Sequence, residues 1–524
     1  MRNMRVYRSL QAKIGEIDIS KIKLDENSKD DIQRALRGIQ TLYNNKEAME
    51  QVCAILTEKI APEKDKNNGR TGMELWNILV LGIIRLVANI DYCRLRDYAN
   101  SHREVRGFLG LSYLVDDEIF DLQTIKNNVG LLTKEILDEI SQIVIKLGHT
   151  ELTEKQRGSL KTKADSFVLK TKVEYPTDIG LLEDASTSAI RDITRMAEEA
   201  NIQGWRQADF AITKIKKLRF LAQKSKKSHA KDDKEKHLEK IWKPHQKLLN
   251  FVAKKIKRVK ETITEIKKNW EVPKESDRKN NTLFGTSSEK LTPVEVKKMR
   301  RKIEKVEYYI TEAEKQIEQI TSRVLNEETI PHSEKTFSVY KPYTEWINKG
   351  KIGIPVELGV RLCIIDDQYG FILNHEIMYN QTDDKIAVKI LEDTIEMFPN
   401  INSVSFDRGF HSKQNQESCK KLVDKLGMPK KGKLSKEAKK LENTDDFLDA
   451  REGHAGIESS INALQVHGCD FCPDYSKEKF ESYVSMSILG RNILNLGDIV
   501  AAKNRKRRNR KKYTFAYTTL KNAA

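Results

Sequence analysis

The chain has 524 residues, a formal net charge of +17 and a hydrophobic fraction of 38%. This length is too great for one ordinary core, so we expect roughly two to four domains. The most apolar run, Trp76 to Ile90, is short and contains Asn77, Arg85 and Asn89; it predicts a buried helix, not a membrane span. Because lysine and arginine gain affinity by displacing counterions from phosphates, the charge favours a nucleic-acid partner.

The N-terminus, MRNMRVYRSLQAKIGEID, has no apolar core followed by a cleavage site, so we expect no secretory signal and a cytoplasmic location. The six cysteines are sparse and lie mostly in apolar patterns, which predicts reduced thiols without disulfides. Cys469 and Cys472 form a single CxxC, which is not enough for a zinc site because zinc needs four ligands.

From about residue 28 to 150 the apolar side chains fall at helical spacing, which predicts an all-α N-terminal domain over residues 1–150. Within it, three short helices are expected at 92–100, 103–109 and 122–132, about the size of a helix-turn-helix. Packing alone also explains such a trio. We therefore interpret residues 92–132 as a candidate DNA-binding motif in a DNA-binding domain.

Residues 158–180 lean toward β structure and end at Pro176, which predicts one strand or a hairpin before a new helix near Leu181. Residues 181–333 then form a helical insertion. Its two long helices carry apolar seams that start at Leu249 and Val296, the first running to Trp270, and such seams predict an antiparallel coiled coil. The linker 271–291 joins them, and Thr292 and Pro293 mark the second helix start. The lysines at 254–268 suit either solvent or DNA.

Residues 334–500 return to a mixed pattern. Strands are predicted at 336–340, 356–365, 371–379 and 404–406, with a hairpin turn at 366–370 and a helix over 383–397. Further helices are predicted at 412–426, 447–465 and 477–496. The tail at 501–524 is rich in lysine and arginine from Lys503 to Lys512, a composition typical of disordered, phosphate-attracting segments.

Two carboxylates stand out in this half of the chain. Asp407 ends an apolar strand and is followed by Gly409, which permits a sharp turn, so it projects from a sheet edge where α/β proteins place ligands. Taken alone, it is more typical of a turn or cap. Glu458 lies with Arg451, His454 and Asn462 at steps of three and four, which predicts one face of a single helix. A solvated helix face is the plainer interpretation.

Several segments resemble insertion-sequence DDE transposases of the ISNCY-like group. They are FSVYKPYTEWINKGKIGIPVELG, SFDRGFHSKQNQE, GMPKKGKLSK, REGHAGIESSINAL with GRNILNLG, and upstream ELWNILVLGIIRLVANIDYCRLRDYAN, DLQTIKNNVGLLTKEILDEI and YPTDIGLLEDA. The resemblance implies a helix-rich, mixed α/β fold. Its RNase H-like catalytic domain is interrupted by the helical insertion after the first strand.

The resemblance also implies a catalytic, metal-binding triad of Asp165, Asp407 and Glu458. Asp178 and Asp184 are alternatives for the first acid, although both start a helix and suit capping. Two Mg²⁺ or Mn²⁺ ions are the implied cofactors, because carboxylates suit hard cations and paired ions stabilise attacking and leaving oxygens. Lysines at 163, 170 and 172 depart from the family pattern, which leaves the register of the strand at Asp165 open.

The remaining site residues support the triad or contact DNA. His454, Arg451, Asn462 and His411 are the expected supporting residues; His454 is expected to contact a phosphate or tune a metal-bound water, which an unchanged cleavage rate in His454→Ala would contradict. The expected DNA contacts are Lys430, Lys431, Lys433, Arg505, Arg507 and Arg508.

Together these features predict a DNA transposase that cleaves transposon ends and transfers them into target DNA. Double-stranded DNA is the expected partner, and a homodimer or higher oligomer is expected in the DNA complex. Two alternatives remain: an RNase H-like nuclease that does not join DNA, and a non-catalytic DNA-binding or architectural protein, for which the charge, coiled coil and basic tail suffice.

Overall fold

The computed structural model describes residues 17–60, 72–111, 119–225, 234–269, 293–348 and 356–523. The chain divides into two units. Unit 1 combines residues 1–172 with 345–524, and unit 2 comprises residues 173–344. The sheet and the N-terminal helices belong to unit 1, whereas unit 2 contains long helices. The fold is therefore a helix-rich mixture of α and β structure.

The elements of unit 1 come from both ends of the chain. Before the insertion they are α1 (Asp31–Asn44), α2 (Lys46–Ile60), α3 (Leu75–Val87), α4 (Tyr92–Ser101), α5 (Arg103–Phe108), α6 (Leu122–Val129), α7 (Lys134–Glu151) and β1 (Leu160–Thr171). After it they are β2 (Glu345–Asn348), β3 (Val356–Asp367), β4 (Ile372–Met378), α12 (Asp383–Met397), β5 (Ile401–Phe406), α13 (Lys413–Cys419), β6 (Lys425–Gly427), α14 (Lys436–Glu442), α15 (Asp445–Arg451), α16 (Gly456–Leu464), β7 (Phe471–Cys472) and α17 (Lys477–Ala523).

The helical N-terminal region is confirmed over its described residues. All 13 residues of α3 are buried, as its apolar run predicts, and the helix packs against α17. The three predicted short helices are α4, α5 and α6, and the Trp76 indole donates to the Phe108 carbonyl at 2.9 Å to hold α5 on α3. Whether this trio reads DNA stays a prediction.

The sheet places β1 at its centre. Its order is β2-β3-β1-β5-β6, with β4 also pairing with β3 and β7 also pairing with β1. β3 runs antiparallel to β1, β2 and β4, whereas β5 and β7 run parallel to β1 and β6 runs parallel to β5. The predicted hairpin is β3 and β4, and the region at 158–180 contains one strand rather than a hairpin.

Unit 2 packs four helices around a single core. They are α8 (Asp178–Glu199), α9 (Ala208–Ser225), α10 (Lys234–Asn269) and α11 (Pro293–Leu325). The predicted seams are mostly buried, and ion pairs of Lys260 with Glu314 and Lys267 with Glu307, both at 2.5 Å, show that α10 and α11 run antiparallel. Both helices also pack on α8, so the seams belong to a four-helix core rather than to a coiled-coil pair alone. Trp270, the linker 271–291 and Thr292 lie outside the described residues.

Three sequence predictions of local structure are wrong. The strand expected at 336–340 is irregular chain, where the Val339 carbonyl accepts from the Tyr308 hydroxyl, and the edge strand β2 follows instead. The helix expected over 412–426 stops at Cys419 and is followed by β6. The basic tail expected to be disordered continues α17 through Ala523. None of the described helices is both long and apolar enough to cross a membrane.

Candidate active site

Two neighbouring parallel strands position Asp165 and Asp407. Ala164 on β1 is in register with Phe406 on β5, so the next residue on each strand is an aspartate. Parallel strands bring their carboxyl ends to the same edge of a sheet. The strand register left open by the surrounding lysines is therefore defined, and it places Asp165 beside Asp407.

The turn after β5 exposes Asp407 while the following residues are anchored. Asp407 is exposed and precedes a single 3₁₀ turn, Arg408–Phe410. The Phe410 ring is fully buried 5.2 Å from the Phe406 ring, and the Phe410 carbonyl accepts from the Asn415 side chain at 2.9 Å. His411, a predicted supporting residue, is half-buried at the end of this turn. The carboxylate of Asp407 thus faces solvent from a fixed backbone.

Glu458 reaches the same strands because α16 is attached to them by a buried polar group. The Ser460 hydroxyl on α16 donates to Asp366 on β3 at 2.6 Å, and Lys163 on β1 lies 3.4 Å from the same carboxylate. Asp366 is fully buried. This arrangement holds the first turn of α16, with Glu458 exposed on it, next to the strand that carries Asp165.

The prediction that Arg451, His454, Glu458 and Asn462 share one helix is wrong. Residues 452–455 interrupt the helix, with Gly453 at a φ of 74°, a backbone conformation that glycine adopts readily. Arg451 ends α15, and its guanidinium donates to the Phe406 carbonyl at 2.9 Å. It therefore stabilises the end of β5 just before Asp407. Asn462 is exposed on α16.

His454 lies in the interruption and is buried there. Burial, together with the positive charge of Arg451, lowers the pKa of His454 to about 4. The imidazole is therefore neutral at pH 7, with one N–H to donate and one nitrogen to accept, and its predicted contact with a phosphate or a metal-bound water stays a prediction. Among the described residues, no group hydrogen-bonds its buried Nδ1.

The acids affect one another electrostatically. The pKa of Asp165 is raised to about 6, first by burial and then by the negative charges of Asp407, Asp383 and Glu458. The Ser166 backbone N–H, which donates to the carboxylate at 2.7 Å, opposes the rise. Burial and these neighbouring charges therefore disfavour the ionised form of Asp165 when no cation is nearby.

Asp383 was not identified from the sequence, where it stands only as the first residue of a helix. The structure places it at the site: the Ser166 hydroxyl donates to Asp383 Oδ1 at 2.6 Å. Acidic residues are common in the first turn of helices because they suit the helix dipole, so no sequence signal separated this one from an ordinary helix start.

The three acids have the right chemistry for a hard divalent cation, but their side chains do not form a complete coordination site. Asp165, Asp407 and Glu458 offer only carboxylate oxygens, which Mg²⁺ and Mn²⁺ prefer. Within the described ranges, no three His, Cys, Asp or Glu side chains lie together in an arrangement that could hold a metal ion. This result covers Cys469 and Cys472 as well. All six cysteines are free thiols.

The alternative first acids lie in unit 2. Asp178 begins α8 and forms an ion pair with Arg323. Asp184 lies further along the same helix, and burial followed by the charges of Glu183 and Glu174 raises its pKa to about 6. Neither residue is on a strand of the sheet that carries Asp407, so the geometry favours Asp165 as the first acid.

The predicted DNA-contacting residues differ in exposure. Lys431 and Lys433 are exposed in the loop between β6 and α14, and neither pairs with an acid in the described part of the chain. Lys430 is half-buried, and its backbone N–H donates to Glu442 at 2.8 Å. Arg505 and Arg507 are exposed on α17, whereas Arg508 forms an ion pair with Glu26. Lys431, Lys433, Arg505 and Arg507 therefore have their charges available to a polyanion.

The chain matches no protein-family model, no characterised protein and no solved structure.

Proposed function

We propose that this protein is a DDE-type DNA transposase that cleaves DNA at transposon ends and joins the freed ends to target DNA. The observation that carries the proposal is that Asp165 on β1 lies beside Asp407, which follows the adjacent parallel strand β5, with Glu458 exposed on the helix attached next to them. The negative charges of Asp407 and Glu458 help to raise the pKa of Asp165. A carboxyl group whose pKa is raised by burial and by neighbouring acids is a typical feature of catalytic sites.

The sheet supports an RNase H-like catalytic domain. The path β4-β3-β1-β5-β6 has antiparallel pairs on one side of β1 and parallel pairs on the other. β4 is antiparallel to β3 and β3 to β1, whereas β5 is parallel to β1 and β6 to β5. Asp165 lies on β1, the first of these strands in chain order, and Asp407 follows β5, the fourth. Unit 2 occupies the chain between β1 and β2, which is where the resemblance implies a helical insertion.

Asp165, Asp407 and Glu458 are the residues that would hold a pair of Mg²⁺ or Mn²⁺ ions. Bound there, such ions supply positive charge to the attacking and leaving oxygens of a phosphodiester and lower the pKa of a bound water. Asp407 and Glu458 are exposed, so the site is open to a polymer as large as DNA.

The chain's own residues position the substrate and the acids. Lys431 and Lys433 contact the DNA backbone, and Arg451 keeps the end of β5 in place through the Phe406 carbonyl. In the first reaction, water oxygen bonds to phosphorus, the bond to the 3′ oxygen breaks, and that oxygen takes a proton. In the second, the freed 3′ hydroxyl oxygen bonds to a target phosphorus and gives up its proton, the bond to the target's 3′ oxygen breaks, and that oxygen takes a proton. In both reactions the attacking oxygen replaces the leaving oxygen directly at a DNA phosphodiester, so no covalent enzyme intermediate is needed.

Asp407→Asn tests the proposal. It should abolish Mg²⁺-dependent cleavage of linear DNA that carries the sequences flanking this reading frame, with a loss greater than the roughly 10- to 100-fold typical of residues behind metal ligands. DNA binding, measured by mobility shift, should persist. The matched control is Asp424→Asn, which neutralises another exposed aspartate in the turn before β6 and should cleave normally.

The products distinguish the alternatives. Joined molecules in addition to cleaved ends support a transposase, whereas cleaved ends alone indicate an RNase H-like nuclease. If Asp407→Asn retains every activity of the natural protein, the site is not catalytic, and a DNA-binding or architectural role remains.

A further inference from the structure

The first residue of α12, Asp383, lies close both to the strand that carries Asp165 and to the turn that follows Asp407. Asp383 Oδ1 accepts the Ser166 hydroxyl at 2.6 Å, and Ser166 follows Asp165 on β1. On the other side, a Cβ added at Gly409 would lie 2.7 Å from Asp383 Oδ2. Since real Cβ atoms do not approach oxygen so closely, only glycine at 409 leaves room for this carboxylate. The Asp383 side chain thus contacts Ser166 on β1 and lies close to Gly409, two residues after Asp407.

The same helix turn is attached to the Asp407 turn through its backbone. The Asn415 side chain donates to the Asp384 carbonyl at 2.7 Å and to the Phe410 carbonyl at 2.9 Å. Asp384 uses its own carboxylate differently, accepting the Thr382 hydroxyl at 2.6 Å within the helix start. Consequently Asp383 and Asp384 are adjacent acids of the same helix turn, but only the Asp383 side chain contacts the strand of Asp165.

We propose that Asp383 is a positioning residue of the candidate site, which sets the separation of Asp165 and Asp407 by bonding the Ser166 hydroxyl on one side and packing against Gly409 on the other. This inference rests on the proposed function, because the separation matters only if the two acids share a divalent cation. The negative charge of Asp383 also contributes to the raised pKa of Asp165, which shows that the two carboxylates are electrostatically coupled. A cation between the acids would relieve that repulsion.

The test compares Asp383→Asn with Asp384→Asn. The two changes remove one charge each from the same helix turn, so they weaken the helix start equally. Mn²⁺ affinity is measured by calorimetry on the full-length chain without DNA, and the Mn²⁺ concentration that gives half-maximal cleavage is measured separately. Asp383→Asn should weaken Mn²⁺ binding by roughly 10- to 100-fold, as changes behind metal ligands do. Asp384→Asn should bind Mn²⁺ like the natural protein.

Two further variants keep the inference testable if Asp383→Asn does not fold. Gly409→Ala retains every acid but displaces the Asp383 carboxylate, and it should weaken Mn²⁺ binding in the same direction. Asp383→Glu retains the charge and should recover part of the affinity. Saturating Mn²⁺ should restore cleavage in Asp383→Asn, which a general structural defect would not allow.

The outcomes separate this inference from the proposed function. If Asp407→Asn loses Mn²⁺ binding and cleavage while Asp383→Asn matches Asp384→Asn, the positioning role of Asp383 is wrong and the proposed function stands. If the natural protein neither binds Mn²⁺ nor cleaves DNA, the proposed function itself fails and this inference fails with it.

Discussion

The Asp366 carboxylate is fully buried beneath α16, where it meets Ser460, Lys163 and its neighbour Asp367. Burial is the largest influence and raises its pKa to about 6; Lys163 and the Ser460 hydroxyl act in the opposite direction, and Asp367 adds to the rise. In the unfolded chain this carboxyl returns to its ordinary pKa of 3.8. The folded protein therefore holds a proton that the unfolded chain releases between these two values.

The sign of the resulting pH dependence follows from linkage. The contribution of Asp366 to stability is fully present below pH 4 and is lost as the pH rises through about 6. A rise in pKa from 3.8 to about 6 corresponds to roughly 3 kcal/mol. Asp366→Asn keeps an acceptor for Ser460 but cannot ionise, so its unfolding free energy should gain about that much relative to the natural protein between pH 4 and pH 7.

Urea unfolding of both proteins across this range measures the difference. Asp424→Asn, which changes an exposed aspartate, should leave the pH profile of the natural protein unchanged. A constant difference in unfolding free energy between Asp366→Asn and the natural protein at every pH would show that Asp366 does not titrate between pH 4 and pH 7.

At the scale of elements, the sequence predicts regular segments better than interruptions. The bounds of α12 agree with the prediction, and the β3–β4 hairpin lies where turn-forming residues follow an apolar strand. In contrast, Leu422 and Leu426 continue the helical spacing of the preceding segment, so the short strand β6 looked like the end of a helix. β2 has four residues and pairs only at the edge of the sheet, and such short edges leave little periodic pattern.

The candidate site shows the same limit. Asp407 was recognised because it follows a strand, and both Asp407 and Glu458 lie in specific motifs. In contrast, Asp383, Ser166 and Asp366 acquire their roles only from contacts between elements that are distant in the sequence. Long-range contacts of this kind leave no local periodicity. Gly453 permits the helix interruption before α16, but the spacing of polar residues through it suggested a continuous face. Arg451 nevertheless reaches the site, through the Phe406 carbonyl rather than along a helix face.

The crossing of α1 and α17 depends on two glycines. A Cβ at Gly38 would overlap the Ile493 carbonyl oxygen, and a Cβ at Gly497 would overlap the Arg34 carbonyl oxygen. Gly38→Ala should therefore push the helices apart and lower the unfolding free energy by about 1–3 kcal/mol or more, as overpacked cores do. Differential scanning calorimetry of the full chain measures the loss.

Gly158→Ala is the matched control for this prediction. A Cβ at position 158 would meet nothing within 4 Å, so the change should alter the unfolding free energy by less than about 0.5 kcal/mol. Equal effects of the two substitutions would mean that backbone entropy, not the close helix crossing, determines the response at Gly38.

For the whole molecule, the two units differ in how their cores are built. The core of unit 1 needs both ends of the chain, because α17 packs against α1, α3 and α7. The core of unit 2 consists of residues from Ile179 to Val339, contributed mainly by α8, α9, α10 and α11. A segment that contains its whole core can fold without the remainder of the chain. Unit 2 meets that condition, whereas neither chain segment of unit 1 does.

A fragment of residues 173–344 should therefore fold by itself, with a helical circular dichroism spectrum and one cooperative thermal transition. Val259 is fully buried in its core, so Val259→Asp should abolish the transition by placing an unpaired charge among apolar side chains. Thr264→Asp changes an exposed residue of the same helix and should preserve it. A helical signal that melts gradually in the unsubstituted fragment would show that this core needs unit 1, because buried seams alone would then not be enough for cooperative folding.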